Sequence, residues 1–418
     1  MLRDRARPGR PESFVRLLRH GDGTRRWDRP VLVLCAALAL TVGLLSRDDT
    51  SQHLWGLTAA AGYGCAALCA ARASIPWARG PALVAVAGAL VVPLLWLTAI
   101  GKAQMEVGVV ERSAHLLLSS GSPYRDAPHA VRDFNPYLPG MALFGMPRAL
   151  FGDGPLTSAR WWFLAGFLAA LGGAARMAAK GGSGTGGGTT APVPWVLWLT
   201  ACPLVALPLA IGGVDPPVTG LLCLALTCAH RGFAGRAGLA LGAAAALKWT
   251  AWPALPVVVA LPAARGGGRA ALRCAAGAVG IGLLAVLPFA LADGRGFLVN
   301  AVRYPLGLGP TPSSAESPLL GHLIVTLVPH GKAVTVALLA LGAAAVGASL
   351  AGRPPRHVVA AADRLALGLA LAIVLAPASR VGYAVYPVLL LLWPRLLLRP
   401  PRHRDAIPRP RQKIFAGP

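Results

Sequence analysis

Apolar runs of membrane-spanning length recur from Pro30 almost to the end of this chain, and little else about its fold is left open by them. A bilayer-crossing helix needs about 20 predominantly apolar residues. Such runs occupy 30–46, 53–72, 82–100, 158–175, 193–210, 217–230, 272–291, 333–350, 364–377 and 381–397. Three further apolar stretches, 136–150, 237–262 and 319–329, fit poorly as single spans and read as re-entrant or broken helices, which survive in a membrane only where protein covers the freed backbone. The expectation is an all-α, polytopic bundle of about 10–13 helices over 30–397, flanked by basic tails at 1–29 and 398–418. With 55% hydrophobic and 13% charged residues, no soluble domain of any size fits beside it. The first apolar run follows a long basic segment without a small-residue cleavage site, the pattern of a retained signal anchor.

A net charge of +24 could point to nucleic acid, but its distribution does not. With the N-terminus inside, the cytoplasmic segments hold 28 Lys and Arg against 11 outside. That asymmetry is the positive-inside signature and puts both termini in the cytoplasm. Counting 136–150 as a full crossing would send Arg176 and Lys180 outside and break the pattern. The basic ends therefore imply contact with anionic lipids and no nucleic-acid partner. The seven cysteines lie in or at the edges of apolar runs without CxxC spacing, so neither a disulfide framework nor a metal site is expected, and no cofactor. Gly181–Pro192 reads as a flexible linker and lacks the GK[ST] ending of a phosphate loop. No internal repeat is evident.

The outer loop 101–136 carries the most chemistry. Val107, Val110, Ala114, Leu117 and Leu118 form one helical stripe, with Glu111, Arg112 and His115 off it, which suggests a helix lying on the membrane rather than crossing it. Glu106 opens that helix, where a carboxylate is well placed as a general base or, more simply, as a dipole partner. Glu111, Asp126 and Asp133 are weaker candidates for the same role. Lys248 stands in an otherwise apolar run, and an intramembrane charge is a functional hypothesis by default, with snorkelling as the plainer account. Arg380 lies between the last two helices, where its planar fork suits a phosphate or a structural carboxylate. Asp215 before Pro216-Pro217 reads as a helix cap, with substrate contact as the second reading. The outer segment 292–319, with Arg295, Asn300, Arg303, Tyr304 and Glu316, and then His322, could cover a sugar site.

Together these segments resemble glycosyltransferase family 87. The carrying features are Glu106 followed 18 residues later by Tyr124 in Gly121-Ser122-Pro123-Tyr124, then Tyr137-Leu138-Pro139, Ile211-Gly212-Gly213-Val214-Asp215, Ala246-Leu247-Lys248 with Pro253, and Pro377-Ala378-Ser379-Arg380. Glu106 stands where the family usually has Asp, and Leu138 where it has Pro. The resemblance covers roughly residues 100–395. It implies a GT-C-like membrane enzyme that takes a hexose, mannose-like, from a polyprenyl-phosphate donor to a glycan or glycolipid acceptor, inverting and without metal. It further implies Glu106 as catalytic base, Lys248 and Arg380 on the donor phosphate, and Tyr124, Asp126, Asp215, Arg303 and His322 around the substrates. The Ala-, Gly-, Pro- and Arg-rich composition suggests a high-GC bacterial genome, hence a bacterial plasma membrane, and the charge sidedness puts the active site outside. A transporter, or a scaffold derived from a transferase, is the other class compatible with the same helices.

Overall fold

In the computed structural model, residues 27–179, 193–309, 311, 315 and 317–397 are described. Most of both tails, the 181–192 linker and Glu316 lie outside them. Every element is helical: α1 (Asp28–Leu45), α2 (Ser51–Arg72), α3 (Arg79–Ala99), α4 (Met105–Ser120), α5 (Met146–Phe151), α6 (Ala159–Ala179), α7 (Val193–Thr200), α8 (Pro203–Ile211), α9 (Asp215–His230), α10 (Ala234–Leu247), α11 (Ala254–Ala292), α12 (Leu320–Leu327), α13 (Gly331–Gly352), α14 (Val358–Leu375) and α15 (Val385–Leu397). Among the described residues seven helices are long and apolar enough to cross a membrane, or eight if the pair α7 and α8, bent by 68°, counts as one broken span. This all-α polytopic bundle wears its large apolar side chains outside, with Leu44, Leu284 and Leu341 each about two-thirds exposed or more. Such a surface is what lipid, rather than water, solvates.

Each of the ten clear spans expected falls on a helix or, at 193–210, on the bent pair α7 and α8. The segments 217–230 and 381–397 form helices of 16 and 13 residues, α9 and α15, because each stops at a buried polar cluster. The segments 254–266 and 272–291 lie on two helices, taken together here as α11, that meet at Gly267, whose φ of 72° belongs to the left-handed region and breaks the helical path. The three awkward stretches follow the expectation of broken structure. Residues 139–145 form a tight turn of helix before α5, 320–327 a two-turn helix, and 237–262 breaks at Lys248, whose backbone is extended between α10 and α11.

At two breaks inside the apolar region a side chain meets the freed carbonyl. Pro93 has no N–H for the carbonyl of Ala89, and the helix widens to a π turn over Ala87–Val91. The indole of Trp55 on α2 donates to that carbonyl at 2.7 Å. At the bend between α7 and α8, Tyr63 on α2 donates to the Ala201 carbonyl at 2.5 Å. In hydrocarbon an unmet carbonyl would cost several kcal/mol, about the whole difference between a tolerated kink and an unfolded one.

Helix α2 can serve both breaks because glycines bring it close to its neighbours. A Cβ on Gly62 would sit 2.5 Å from the Gly88 Cα of α3, whereas one on Gly64 would meet nothing within 4 Å. Small residues at such crossings let backbones pack where no hydrophobic force drives association. We therefore expect Gly62→Leu to lower the thermal stability of detergent-purified protein by about 1–3 kcal/mol through overpacking. Gly64→Leu, on the same helix, should leave the melting curve in place; equal losses in both would show that the crossing is not what the glycine serves.

Candidate active site

Two ion pairs assemble where broken helices end. The first forms at the ends of α9 and α10, which run antiparallel from the 231–233 turn. At 1.5 Å per residue they reach only about 24 and 21 Å, short of the ~30 Å hydrocarbon thickness. Asp215, the first residue of α9, and Lys248, just past α10, thus meet at the same end of the helix pair. The Lys248 ammonium lies 2.5 Å from Asp215 Oδ1, and the Tyr386 hydroxyl donates to the same oxygen at 2.7 Å. Thr250 Oγ1 is 2.8 Å from that hydroxyl. Lys248 also stands over the Tyr383 ring, 4.5 Å from its centroid, and is buried. Asp215 does not cap its helix: Val214 holds the cap position and the carboxylate is turned to Lys248 instead. The ammonium does not snorkel, because a carboxylate sits within reach.

The second pair joins Arg380 to Glu106. Glu106 occupies the first turn of α4, where the helix dipole favours a negative charge, and its side chain is 7% exposed. The turn is held from two sides. Gln104 N–H donates to the Ile211 carbonyl at 2.8 Å, and Arg160 on α6 donates to the Lys102 carbonyl at 2.8 Å. Arg380 is fixed by its strand-like neighbours: Ser317 N–H donates to the Ser379 carbonyl at 3.0 Å, and Val381 N–H to Ser317 Oγ at 3.2 Å. Tyr137 lies between the pairs, its ring 5.9 Å from the Lys248 ammonium and in electrostatic range of Glu106, Asp215 and Arg380. Hence Glu106, Arg380, Asp215 and Lys248 form one cluster, with Tyr137 and Tyr383 as its partition.

Tyr137 is placed by the re-entrant segment. Leu138 N–H donates to the Leu247 carbonyl at 3.1 Å, docking this segment on the open end of α10. A Cβ on Gly140 would come 2.7 Å from the Ala246 carbonyl, so only glycine permits that approach. The buried Asn135 amide donates to Ser113 Oγ and the Pro123 carbonyl. Asn135 N–H donates to Asn300 Oδ1 at 3.0 Å, and Phe134 stacks on Tyr304 with centroids 4.2 Å apart. These contacts lay the 292–309 segment over the loop 121–136.

The remaining sequence candidates separate by environment. Tyr124 is buried and donates to the Tyr137 carbonyl at 3.0 Å, and burial raises its phenol above the ordinary range. It supports the re-entrant turn. Asp126 and Arg303 are exposed on the loops, and His322 is half-buried on α12. No described contact ties these three to the ion pairs. Glu111 accepts from Ala159 N–H at 2.9 Å and faces Arg148, capping α6. Asp133 accepts from Ala130 N–H and pairs with Arg125; the backbone donor above all holds its carboxyl below the usual range. Of the α4 stripe, Val107, Val110 and Ala114 are buried, while Leu118 is 53% exposed and faces outward. Tyr386 was not legible as a site residue. Its signal was the spacing Tyr383-x-x-Tyr386, which sets two phenols on one helix face.

A cleft of 590 Å³ opens beside Glu106 and Arg380, walled by Asp49–Gln52, where the α1–α2 connection runs into α2, and by Gly101–Met105. Among the described residues no three His, Cys, Asp or Glu side chains gather as a metal set. The arrangement offers a carboxylate and a guanidinium at a polar mouth, with a second, neutralised pair beneath. Removing one partner from a buried pair strands the other charge, at a cost of about 3–5 kcal/mol. Lys248→Met is thus expected to lower the unfolding temperature markedly, and Asp215→Asn added to it to restore most of the loss. Thermal unfolding of the single and double variants measures this; no recovery in the double would mean the two side chains act independently.

The sequence profile of glycosyltransferase family 87 matches residues 135–396, more than half of the chain. The match takes in Tyr137, Asp215, Lys248, Arg380 and Tyr386 and begins after Glu106 and Tyr124. No curated protein and no solved structure matches. With a multi-pass helical bundle and a charged cluster at the ends of its broken helices, the chain belongs to glycosyltransferase family 87 and is a membrane glycosyltransferase.

Proposed function

We propose that this enzyme moves a hexose, mannose-like, from a polyprenyl-phosphate donor to a glycan or glycolipid acceptor of the cell envelope. The setting is the bacterial plasma membrane, with both termini in the cytoplasm and the site on the outer face, as the Lys and Arg asymmetry favours. The observation that carries the reading is the Glu106–Arg380 pair at the foot of a polar cleft in an otherwise lipid-solvated protein. A donor with a long isoprenoid tail can enter sideways from the bilayer and bring its phosphate to that depth.

The chemistry follows from the charges. The donor phosphate competes with Glu106 for Arg380, whose fork suits two phosphate oxygens. Glu106, released from its cation, then takes the proton of an acceptor hydroxyl. The hydroxyl oxygen bonds to the anomeric carbon as the bond from that carbon to the phosphate oxygen breaks. Polyprenyl phosphate leaves, and single displacement inverts the anomeric centre. Arg380 meets the charge growing on the leaving phosphate, and Lys248, held by Asp215 and Tyr386, adds positive potential from below. Such fixed charges act most strongly on the transition state because they need no reorganisation. The scheme asks for no metal.

The test uses protein reconstituted in lipid with a radiolabelled polyprenyl-phosphate mannose. Glu106→Gln keeps the shape and removes the base, so transfer should fall by about 10²–10⁴ with donor binding retained. Arg380→Ala should weaken donor binding as well as turnover. Transfer at the unsubstituted rate in Glu106→Gln would remove Glu106 from the reaction.

A further inference from the structure

The cleft has walls that the family match does not reach. Asp49 and Thr50 end the α1–α2 connection, Ser51 and Gln52 open α2, and Gly101–Met105 leads into α4; all precede residue 135. Its side chains are those of a sugar site rather than a lipid channel. Asp49, Thr50, Ser51, Gln52, Lys102 and Gln104 supply hydroxyl, amide, carboxylate and ammonium groups, while Ala103 and Met105 are the apolar ones. A volume of 590 Å³ suits a small ligand held on several sides.

Glu106 settles which substrate meets this surface. Its carboxylate is paired with Arg380, its side chain is 7% exposed, and it borders the cleft. A hydroxyl that gives its proton to Glu106 must therefore come from the cleft. The walls are held ready. Lys102 Nζ donates to the Asp49 carbonyl at 2.6 Å, joining the two rims, and Thr50 caps α2 by accepting from His53 N–H at 3.2 Å. Ser51 donates to Gln52 Oε1 at 3.2 Å, which leaves the Gln52 amide N–H groups for a ligand.

We propose that this cleft holds the saccharide of the acceptor and presents its hydroxyl to Glu106, so that the start of α2 and the connection before it set which acceptor is used. The proposal rests on the transferase reading for the word acceptor; saccharide binding in the cleft stands apart from it. Polar side chains that hydrogen-bond sugar hydroxyls discriminate strongly, since a wrong partner leaves buried groups unpaired.

Two measurements on the full-length protein test it. In the first, Gln52→Ala and Gln104→Ala are assayed with polyprenyl-phosphate mannose as donor and octyl α-mannoside as acceptor. Each should raise the acceptor KM by about 5- to 10-fold, one lost hydrogen bond, and leave kcat and the donor KM in place. A rise in donor KM with acceptor KM unchanged would overturn the proposal in favour of a donor site. The second needs no turnover. Gln52→Cys, purified in octaethylene glycol dodecyl ether, is labelled with a polar maleimide, against the unsubstituted protein as background. Doping the micelles with dodecyl maltoside should slow labelling, and doping with dodecyl phosphate should not. Protection by the phosphate alone, or by neither, overturns the proposal. Protection by the maltoside without any sugar transfer would keep the cleft and defeat the transferase reading. Transfer with unchanged acceptor KM and no protection would do the reverse.

Discussion

A lysine in hydrocarbon must find an anion or lose its proton, and the whole site end of this bundle follows from how Lys248 finds one. The ammonium reaches Asp215 because α9 begins at that carboxylate and α10 ends beside the lysine, at the same end of the helix pair. The break at Lys248 leaves the Leu247 carbonyl without a helical partner, and the re-entrant segment supplies one through Leu138 N–H. That docking carries Tyr137 to the cluster and Tyr124 beneath it. One charge in an apolar run thus accounts for two short helices, a re-entrant turn and the partition of the site.

Such pairs are weak evidence for stability, because desolvating two ions offsets much of their attraction. Their use here is better understood as electrostatic. Lys248 and Asp215 cancel, so the protein can carry a cation under the site without a free charge in lipid. The Glu106–Arg380 pair is different: Arg380 is 25% exposed at its side chain and borders the cleft, so an incoming anion can compete for it. One pair is locked beneath; the other is placed to exchange.

The loops do separate work. Between 121 and 136 they are stitched to 292–309 through Asn135, Asn300, Phe134 and Tyr304. Asp133 and Glu111, two carboxylates that competed with Glu106 on paper, are spent on a turn and a helix start. Spacing alone cannot separate a capping acid from a reactive one. Both types favour the same helix-start positions, and only the partners differ.

From the amino-acid sequence alone came the membrane class, the all-helical fold, the broken stretches and the family. Each depends on local quantities, namely apolar run length, charge sidedness and short ordered motifs. The same reading selected Glu106, Asp215, Lys248 and Arg380, because charged side chains in or beside apolar runs are conspicuous. It could not say that Glu106 pairs with Arg380 across 274 positions, nor Lys248 with Asp215 across 33. Nor did it find Tyr386, whose spacing from Tyr383 was the one signal, or the Asp49–Gln52 wall, which carries no unusual local pattern. Tertiary structure decided those points, because in a bilayer each charge and each freed carbonyl takes whichever partner the packing brings, however distant in the chain.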